Sequence, residues 1–483
     1  MSYFVVMADT IIGRKQPIAD LKRAYASGRP ELIALVGRRR IGKTFLVRQV
    51  YGSRIDYELT GLQNGGLKAQ LLNFKLAMNS YFPDHQFGDE VDNWLVAFNE
   101  LAKALQSKQT ERRVVFLDEV PWLGTPRSGF ITALGFFWNS WAHKLNAVVV
   151  ICGSAAAWMI RKVINDRGGL HNRVTRLLYL YPFTLAETEA FCRSRRIQLD
   201  RYQLLQLYFV MGGVPMYLDQ LQPGRSAVQN IDRVCFAETG YLRYEFDRLF
   251  TSLFKNYEQH VAIVRALASR HYGLTRGELI IASKLSNGGG VTKALDELEK
   301  SGFITEYGGY RKRAKDRLYR LTDSYCHFYL TYLEPLGKGR TTAFTQLSSL
   351  PRWSSWSGYA FENVCLTHIP AIRKALGISG ISTSIASFYT AATKMHAGAQ
   401  IDLVIDRADR SISLCEIKHS ASIYTITQKE VEALQRRKQV FQQVTRTNKH
   451  VFTVLITPFG AKENAYRVGY VDQIVVLDDL FGH

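Results

Sequence analysis

The sequence predicts a multidomain α/β protein, and three observations carry that prediction. ELIALVGRRRIGKTFLVRQV reads as a buried apolar strand, a loop bounded by glycines and a helix. RRVVFLDEVPWL is a second apolar strand ending in adjacent carboxylates. The chain, at 483 residues, is also too long for one hydrophobic core, so roughly two to four domains are expected.

The loop spans Gly37, Arg38, Arg39, Arg40, Ile41, Gly42, Lys43 and Thr44, and the helix continues through Phe45. It has the G-x-x-x-x-G-K-[ST] pattern of a phosphate-binding loop. The glycines let backbone N–H groups wrap the phosphates, Lys43 adds a point charge, and Thr44 offers a hydroxyl to Mg²⁺ at the positive end of the helix. ATP and Mg²⁺ are therefore the expected cofactors. At the end of the second strand, Asp118 would hold the hydrated Mg²⁺ and Glu119 would orient the attacking water. A further apolar strand, AVVVICGS, delivers Ser154, either as a sensor of the γ-phosphate or as part of an ordinary Gly-Ser turn.

Composition bounds the rest. With 47% hydrophobic and 22% charged residues the chain is neither disordered nor fibrous. A formal net charge of +20 makes DNA the first partner to consider, because clustered Lys and Arg bind phosphate backbones through counterion release; evenly spread charge for solubility is the alternative. The six cysteines are scattered, without a C-x-x-C pair, as expected in a reducing compartment. No signal peptide is evident, and AVVVICGSAAAWMI falls short of a bilayer span, so a cytoplasmic protein without a membrane partner is expected.

IIGRKQPIADLKRAY, the phosphate loop, the Asp118-Glu119 strand and CGS together resemble the AAA+ branch of P-loop ATPases. More narrowly, they resemble archaeal and bacterial ATPases with GRRRxGKT loops and a C-terminal nuclease-like domain, and the likeness extends over nearly the whole chain. It implies an αβα core at 1–210 and a small helical lid at 211–256, with Gly13 and Arg14 near the adenine. It also implies an arginine finger in LHNRVTRLLYL acting on a neighbouring subunit's ATP, hence a homo-oligomer. Arg173 is the candidate and Arg176 the substitute, because Asn172-Arg173-Val174-Thr175 stands where the family has Gly-Arg-Arg-Thr. MGGVPMYL resembles the Gly-x-Pro turn of signal-transduction relatives, which would set Pro215 against the base. Gly212, Gly213 and Pro215 would in any case make a sharp entry into a helix.

From about Tyr257 the pattern becomes short helices and then a hairpin. Thr275 and Glu278 stand in capping-box register, VTKALDELEKSGFITE gives the next helix, and two strands bracket a loop holding Arg311, Lys312, Arg313, Lys315 and Arg317. This resembles a winged helix-turn-helix domain at 257–335, whose second long helix would enter the major groove while the basic wing touches phosphate. A solvated hairpin tip, or a protein-contact module, is the other reading.

The last segment, 345–483, reads as helix, three strands, helix, strand. QIDLVIDR and SISLCEIKHS put Asp402 and Glu416 on neighbouring strands, with Lys418 on the same face as Glu416, and Glu362 lies on the helix upstream. Glu-x-Lys alone is a common pair on a wet strand face. The full set resembles the PD-(D/E)XK nuclease fold of the Holliday-junction-resolvase type, a restriction-endonuclease-like α/β domain, although Gln400-Ile401 replaces the proline of the family's name. That likeness implies that Glu362 assists a metal ion, Asp402 and Glu416 bind it, and Lys418 is catalytic. The expected function is an ATPase coupled to DNA binding and Mg²⁺-dependent phosphodiester cleavage. The alternatives are an ATP-gated regulatory protein whose last domain only binds DNA or a partner, and a protein-remodelling ATPase with an interaction tail.

Overall fold

The computed structural model describes residues 11–108, 110–165, 167–270, 272–311, 317–337 and 343–482. The chain forms two compact units, Met1–Pro182 with Asp296–Gly302, and Phe183–Leu295 with Phe303–His483.

Five strands build the first unit: β1 (Glu31–Val36), β2 (Tyr57–Thr60), β3 (Val114–Asp118), β4 (Val148–Gly153) and β5 (Arg176–Tyr179). They pair in parallel in the order β2-β3-β4-β1-β5. Helices cover both faces, so β1, β3 and β4 are buried along their whole length and read as unbroken Val, Ile and Leu runs. Side chains alternate along β1. Leu32, Ala34 and Val36 enter one core with Trp94, Phe98 and Phe130, while Ile33 and Leu35 enter the other with Leu46, Val47 and Phe116. Since the strands are parallel, the segments that follow β1, β3 and β4 emerge at one edge of the sheet. The phosphate loop, Asp118-Glu119 and Ser154 all lie there.

The second unit opens with the helices Leu185–Ser194 and Arg201–Met211. The Phe183 N–H donates to Gly213 O at 2.7 Å, and the Tyr208 hydroxyl donates to Phe183 O at 2.8 Å. Next come the helices Tyr257–Ala268, Arg276–Ser283 and Gly289–Lys300, the last of which passes to the first unit at Asp296, and the strands β6 (Leu274–Thr275), β7 (Ile304–Tyr307) and β8 (Leu318–Leu321), paired antiparallel in the order β6-β8-β7. Thr275 and Glu278 form the expected capping box.

A five-stranded sheet follows, of β9 (Thr383–Thr390), β10 (Ala399–Arg407), β11 (Ser411–Ile417), β12 (His450–Ile456) and β13 (Gln473–Val475), in the order β13-β12-β11-β10-β9. β9, β10 and β11 are antiparallel neighbours. β12 lies parallel to β11 because the helix Gln428–Thr445 crosses between them. The reading from sequence ended at β12. The short helix Ala465–Tyr470 and β13 extend the sheet further. Among the described residues no helix is long and apolar enough to cross a membrane.

The hairpin of β7 and β8 is docked rather than free. Past β7, the Tyr310 N–H donates to Ser387 O of β9 at 2.7 Å, and its ring joins the core of Phe388, Ile401, Val404 and Phe441. Arg311 donates to Thr445 O at 3.0 Å, and Arg317 pairs with Glu306 at 3.1 Å. These two arginines, expected at a phosphate-touching tip, are thus engaged within the unit. Lys312, Arg313 and Lys315 lie outside the described residues.

A buried histidine, His368, and a half-buried one, His419, are expected to make the second unit acid-sensitive. His368 Nε2 accepts the Leu185 N–H at 3.0 Å while Nδ1 faces Val364 O at 2.8 Å, an arrangement that only the neutral ring satisfies. His419 is stacked on Tyr202, with Ser357 Oγ at 3.2 Å from Nδ1 and Tyr202 Oη at 3.3 Å from Nε2. Burial pushes both rings down to about 4 from an ordinary 6.5. The unfolded chain therefore takes up protons between those values that the folded chain refuses. The stability contribution is fully present above pH 6.5 and is lost as pH falls toward 4, by at most roughly 3 kcal/mol for His368. Urea midpoints measured across that window should fall with acidity, and His368→Gln should flatten the slope; an unchanged slope would mean that His368 titrates normally.

Candidate functional site

At the sheet edge of the first unit, two glycines shape the phosphate loop. Gly42 has φ +87°, a conformation that L side chains rarely adopt, and a Cβ on Gly37 would collide with Leu180 O and the Ile41 side chain. Arg40, at φ +73°, takes the left-handed region without a glycine's freedom. Lys43 is buried and donates to Gly37 O at 2.9 Å and Arg38 O at 3.0 Å, so its ammonium is held inside the loop. Arg38 and Ile41 are buried, whereas Phe45 is exposed on the helix Lys43–Tyr51. The Arg39 guanidinium lies 5.7 Å from the Trp122 ring centre.

Arg14, expected near the adenine, donates to Tyr181 O and, at 3.2 Å, to Ile41 O, so it braces the phosphate loop. Gly13, at φ +63°, turns the chain into that position.

Thr44 Oγ1 donates to Asp118 Oδ2 at 2.6 Å. The two groups expected on Mg²⁺ are thus already side by side, and the donor set, a hydroxyl and a carboxylate on a phosphate loop, suits a hard cation. Glu119, in a left-handed backbone conformation with φ 47°, accepts from both the Ser154 N–H at 3.0 Å and the Ser154 hydroxyl at 2.8 Å. Ser154, at the end of β4, thus holds the glutamate by both its N–H and its hydroxyl. Sequence reasoning missed Cys152, whose thiol faces Asp118 Oδ1 at 2.7 Å. Burial pushes that thiol far up, so it stays protonated and donates. A cysteine two residues before the CGS serine was the available signal.

Arg176 pairs with Glu31 at 3.2 Å across the start of β5, which makes it a structural cation, whereas Arg173 is exposed on a turn. Pro215 is the first residue of the helix Pro215–Leu218 in the second unit, after Gly212 and Gly213 at positive φ.

A second constellation lies wholly in the second unit. The pairing of β10 with β9 jumps from Ile401↔Phe388 to Val404↔Ala386, an extra residue on β10 that forms a bulge at Asp402 and Leu403. Leu403 pairs with Cys415, so Asp402 and Glu416 are the next opposed positions on the two strands. Glu362, on the helix Pro351–Thr367, feels the charge of Asp402 and of Glu416. Lys418 Nζ reaches Glu416 Oε1 at 2.8 Å.

Electrostatics tie these groups together. Burial first, then the charge of Asp402, lifts Glu362 to about 7 against the pull of Arg320, and burial followed by the charge of Glu416 lifts Asp402. The cations were legible only in part. Arg320 on β8 pairs with Glu362 at 2.8 Å, and Arg437 on the helix Gln428–Thr445 pairs with Glu416 at 2.5 Å. Neither arginine was singled out from sequence, and nothing local distinguishes them from surface arginines. Gln400, which stands before the aspartate where the family name has proline, donates to Asp402 at 3.0 Å. Among the described residues, no three His, Cys, Asp or Glu side chains form a ready metal-ligand group.

Residues 12–221 match the family described as an ATPase domain predominantly from Archaea. That stretch is an ATPase domain. It binds nucleotide, on a parallel-sheet core of the P-loop type. An uncharacterized protein of Methanocaldococcus jannaschii is 22% identical over 409 residues, which is 84% of this chain and 87% of that protein. A Walker-type ATPase of Pyrococcus abyssi superposes with a TM-score of 0.50 at 17% identity, covering 66% of this chain and 96% of that one, a likeness of fold. The ORC2 protein of Aeropyrum pernix, in its ADPNP-ADP complexes, gives a TM-score of 0.42 at 14% identity, covering 68% and 94%.

Proposed function

We propose that the ATPase domain is an AAA+ engine coupled to a DNA-processing second unit, in which 257–335 is a winged helix and 345–483 a PD-(D/E)XK nuclease-like domain. The observation that carries this reading is the convergence of Glu362, Asp402, Glu416 and Lys418 from one helix and two antiparallel strands. Two features support it: the helix, β-hairpin and sheet order around them, and the bulge that sets Asp402 opposite Glu416. A net charge of +20 supports a polyanionic partner.

A half-buried carboxylate beside another carboxylate calls for a cation, and Asp402 has no salt bridge among the described residues, so the donor set fits a divalent ion such as Mg²⁺. Asp402 and Glu416 would hold it, with Glu362 assisting. Bound there, the ion would supply Lewis-acid polarisation of a phosphodiester. Lys418, half-exposed beside Glu416, places a positive charge where negative charge develops on the phosphate. In the ATPase domain, Thr44 and Asp118 would hold Mg²⁺, Glu119 orients water, and Arg173 acts on a neighbouring copy's nucleotide in a homo-oligomer.

One observation favours a second reading, an ATP-gated regulator whose last domain only binds. Glu362 and Glu416 are already ion-paired, and no ready ligand trio stands among the described residues. The purified protein decides between the readings. With linear, forked and four-way DNA it is expected to cut in Mg²⁺ or Mn²⁺ but not in Ca²⁺, and DNA is expected to stimulate ATP turnover. No cleavage on any substrate in any nucleotide state would leave the regulatory reading, and ATP turnover indifferent to DNA would remove DNA as the partner.

A further inference from the structure

The nuclease-like site is not closed by its own domain alone. Arg320 belongs to β8 of the hairpin, yet its guanidinium is buried against Glu362 at 2.8 Å. One residue further, Leu321 O accepts from Asn363 Nδ2 at 3.2 Å, so strand and helix are bonded at consecutive positions. The other arm of the hairpin is fixed to the same sheet. Tyr310 pairs with Ser387 of β9, its hydroxyl donates to Asp406 Oδ2 on β10 at 3.1 Å, and its ring lies 5.1 Å from that of Phe441. The hairpin thus grips both the edge strand of the sheet and its carboxylate site.

The charge pattern gives this grip a meaning. Glu362, Asp402 and Glu416 face Arg320, Lys418 and Arg437, three carboxyl groups against three cations. A carboxylate oxygen bonded to a guanidinium presents its lone pairs to N–H groups and not to a metal ion, and two cations do not share one small buried oxygen pair without strong repulsion. Lys418 and Arg437 are carried by the site's own sheet and its crossing helix. Arg320 arrives on a different element, the β7–β8 hairpin.

We infer that Arg320 is an internal counter-ion and latch: the β7–β8 hairpin withholds Glu362, and the carboxylate site accepts a divalent cation only when Arg320 withdraws. This deepens the nuclease-like reading and rests on it. Whatever pulls on the hairpin would then gate metal entry, so an otherwise competent site stays silent in the latched state.

The test uses the full-length protein without nucleotide and Mn²⁺ as the probe, with free Mn²⁺ counted by electron paramagnetic resonance. Arg320→Gln is expected to bind Mn²⁺ at least tenfold more tightly than wild type, and adding Asp402→Asn should abolish that gain. Arg320→Lys, which keeps the charge, should stay within about threefold of wild type. Asp402-dependent Mn²⁺ binding of equal strength in wild type and Arg320→Gln would overturn the latch while leaving the metal site standing. No Asp402-dependent binding in any variant would remove the underlying reading, and the latch with it. Cleavage lost in Arg320→Gln with Mn²⁺ affinity unchanged would make Arg320 a phosphate-contacting residue instead. Should Arg320→Gln fail to fold, hydrogen exchange in the wild type decides: saturating Mn²⁺ is expected to speed exchange at the Tyr310 and Ser387 amides, and unchanged rates would overturn the proposal.

Discussion

Replacing Lys43 by alanine is expected to abolish nucleotide binding, whereas replacing Glu119 by glutamine should leave binding intact and slow turnover at least tenfold. The difference follows from where each side chain is held. The Lys43 ammonium sits inside the loop on the carbonyls of Gly37 and Arg38, so the loop has a buried positive charge ready where the β- and γ-phosphates enter. Alanine removes that charge and also leaves two carbonyls without their donor. Glu119 stands apart from the phosphate loop, on β3's exit, and is aimed by Ser154. Glutamine keeps an acceptor oxygen for both Ser154 donors, so the geometry should survive, but it cannot take on the water's proton. A tenfold loss corresponds to roughly 1.4 kcal/mol at the transition state. Equilibrium binding of a fluorescent ATP analogue and phosphate release should be measured side by side. Wild-type hydrolysis by Glu119→Gln would send the water-positioning role to another residue, and retained binding by Lys43→Ala would mean that the backbone cradle suffices.

How much of this was legible depends on how local each signal is. The phosphate loop was readable because its chemistry lies in eight consecutive residues, and the strand before it is apolar throughout since both faces of the sheet are covered. Asp118 and Ser154 were readable for the same reason, as strand-end residues on apolar runs that all finish at one sheet edge. The bonds that Arg14 makes to the phosphate loop were not readable. A contact with Ile41 O lies 27 residues away, and no periodicity encodes it. The hairpin shows the limit most clearly. Its strands and its charge run were visible, but its docking was not, because Tyr310 in a Gly-Gly-Tyr turn looks like an exposed aromatic until β9 is placed beside it. Likewise the bulge that sets Asp402 leaves no mark in QIDLVIDR, where the alternation reads as an unbroken strand. Pairings between distant segments decide these features, and single positions say little about such pairings.

The other large effect is expected at Asp402, Glu416 and Lys418, and the three substitutions should not behave alike. Asp402→Ala removes a carboxylate that burial and the charge of Glu416 make costly to keep ionised, so the apo protein should fold no worse and bind DNA at least as well. Its metal-dependent cleavage should vanish, and so should its share of Mn²⁺ binding. Glu416→Ala should also end cleavage, with a different signature. It releases Lys418 and Arg437 together, two cations now held at 2.8 and 2.5 Å, so DNA affinity should rise and the slope of log K against log salt should steepen by up to about two phosphate contacts. Removing a buried ion-pair partner also leaves Arg437 uncompensated, and some loss of stability is expected with it. Lys418→Ala should keep Mn²⁺ binding and lose turnover by roughly 100-fold, because a positive charge placed at a developing transition state acts mainly on the chemical step. Nicking of linear, forked and four-way DNA, Mn²⁺ binding and salt-dependent DNA affinity, measured on all three variants, separate these outcomes. Cleavage that survives Asp402→Ala and Glu416→Ala alike would place the chemistry elsewhere. A Lys418→Ala protein that loses Mn²⁺ binding together with turnover would make the lysine a keeper of Glu416's geometry, with no part at the reacting phosphate.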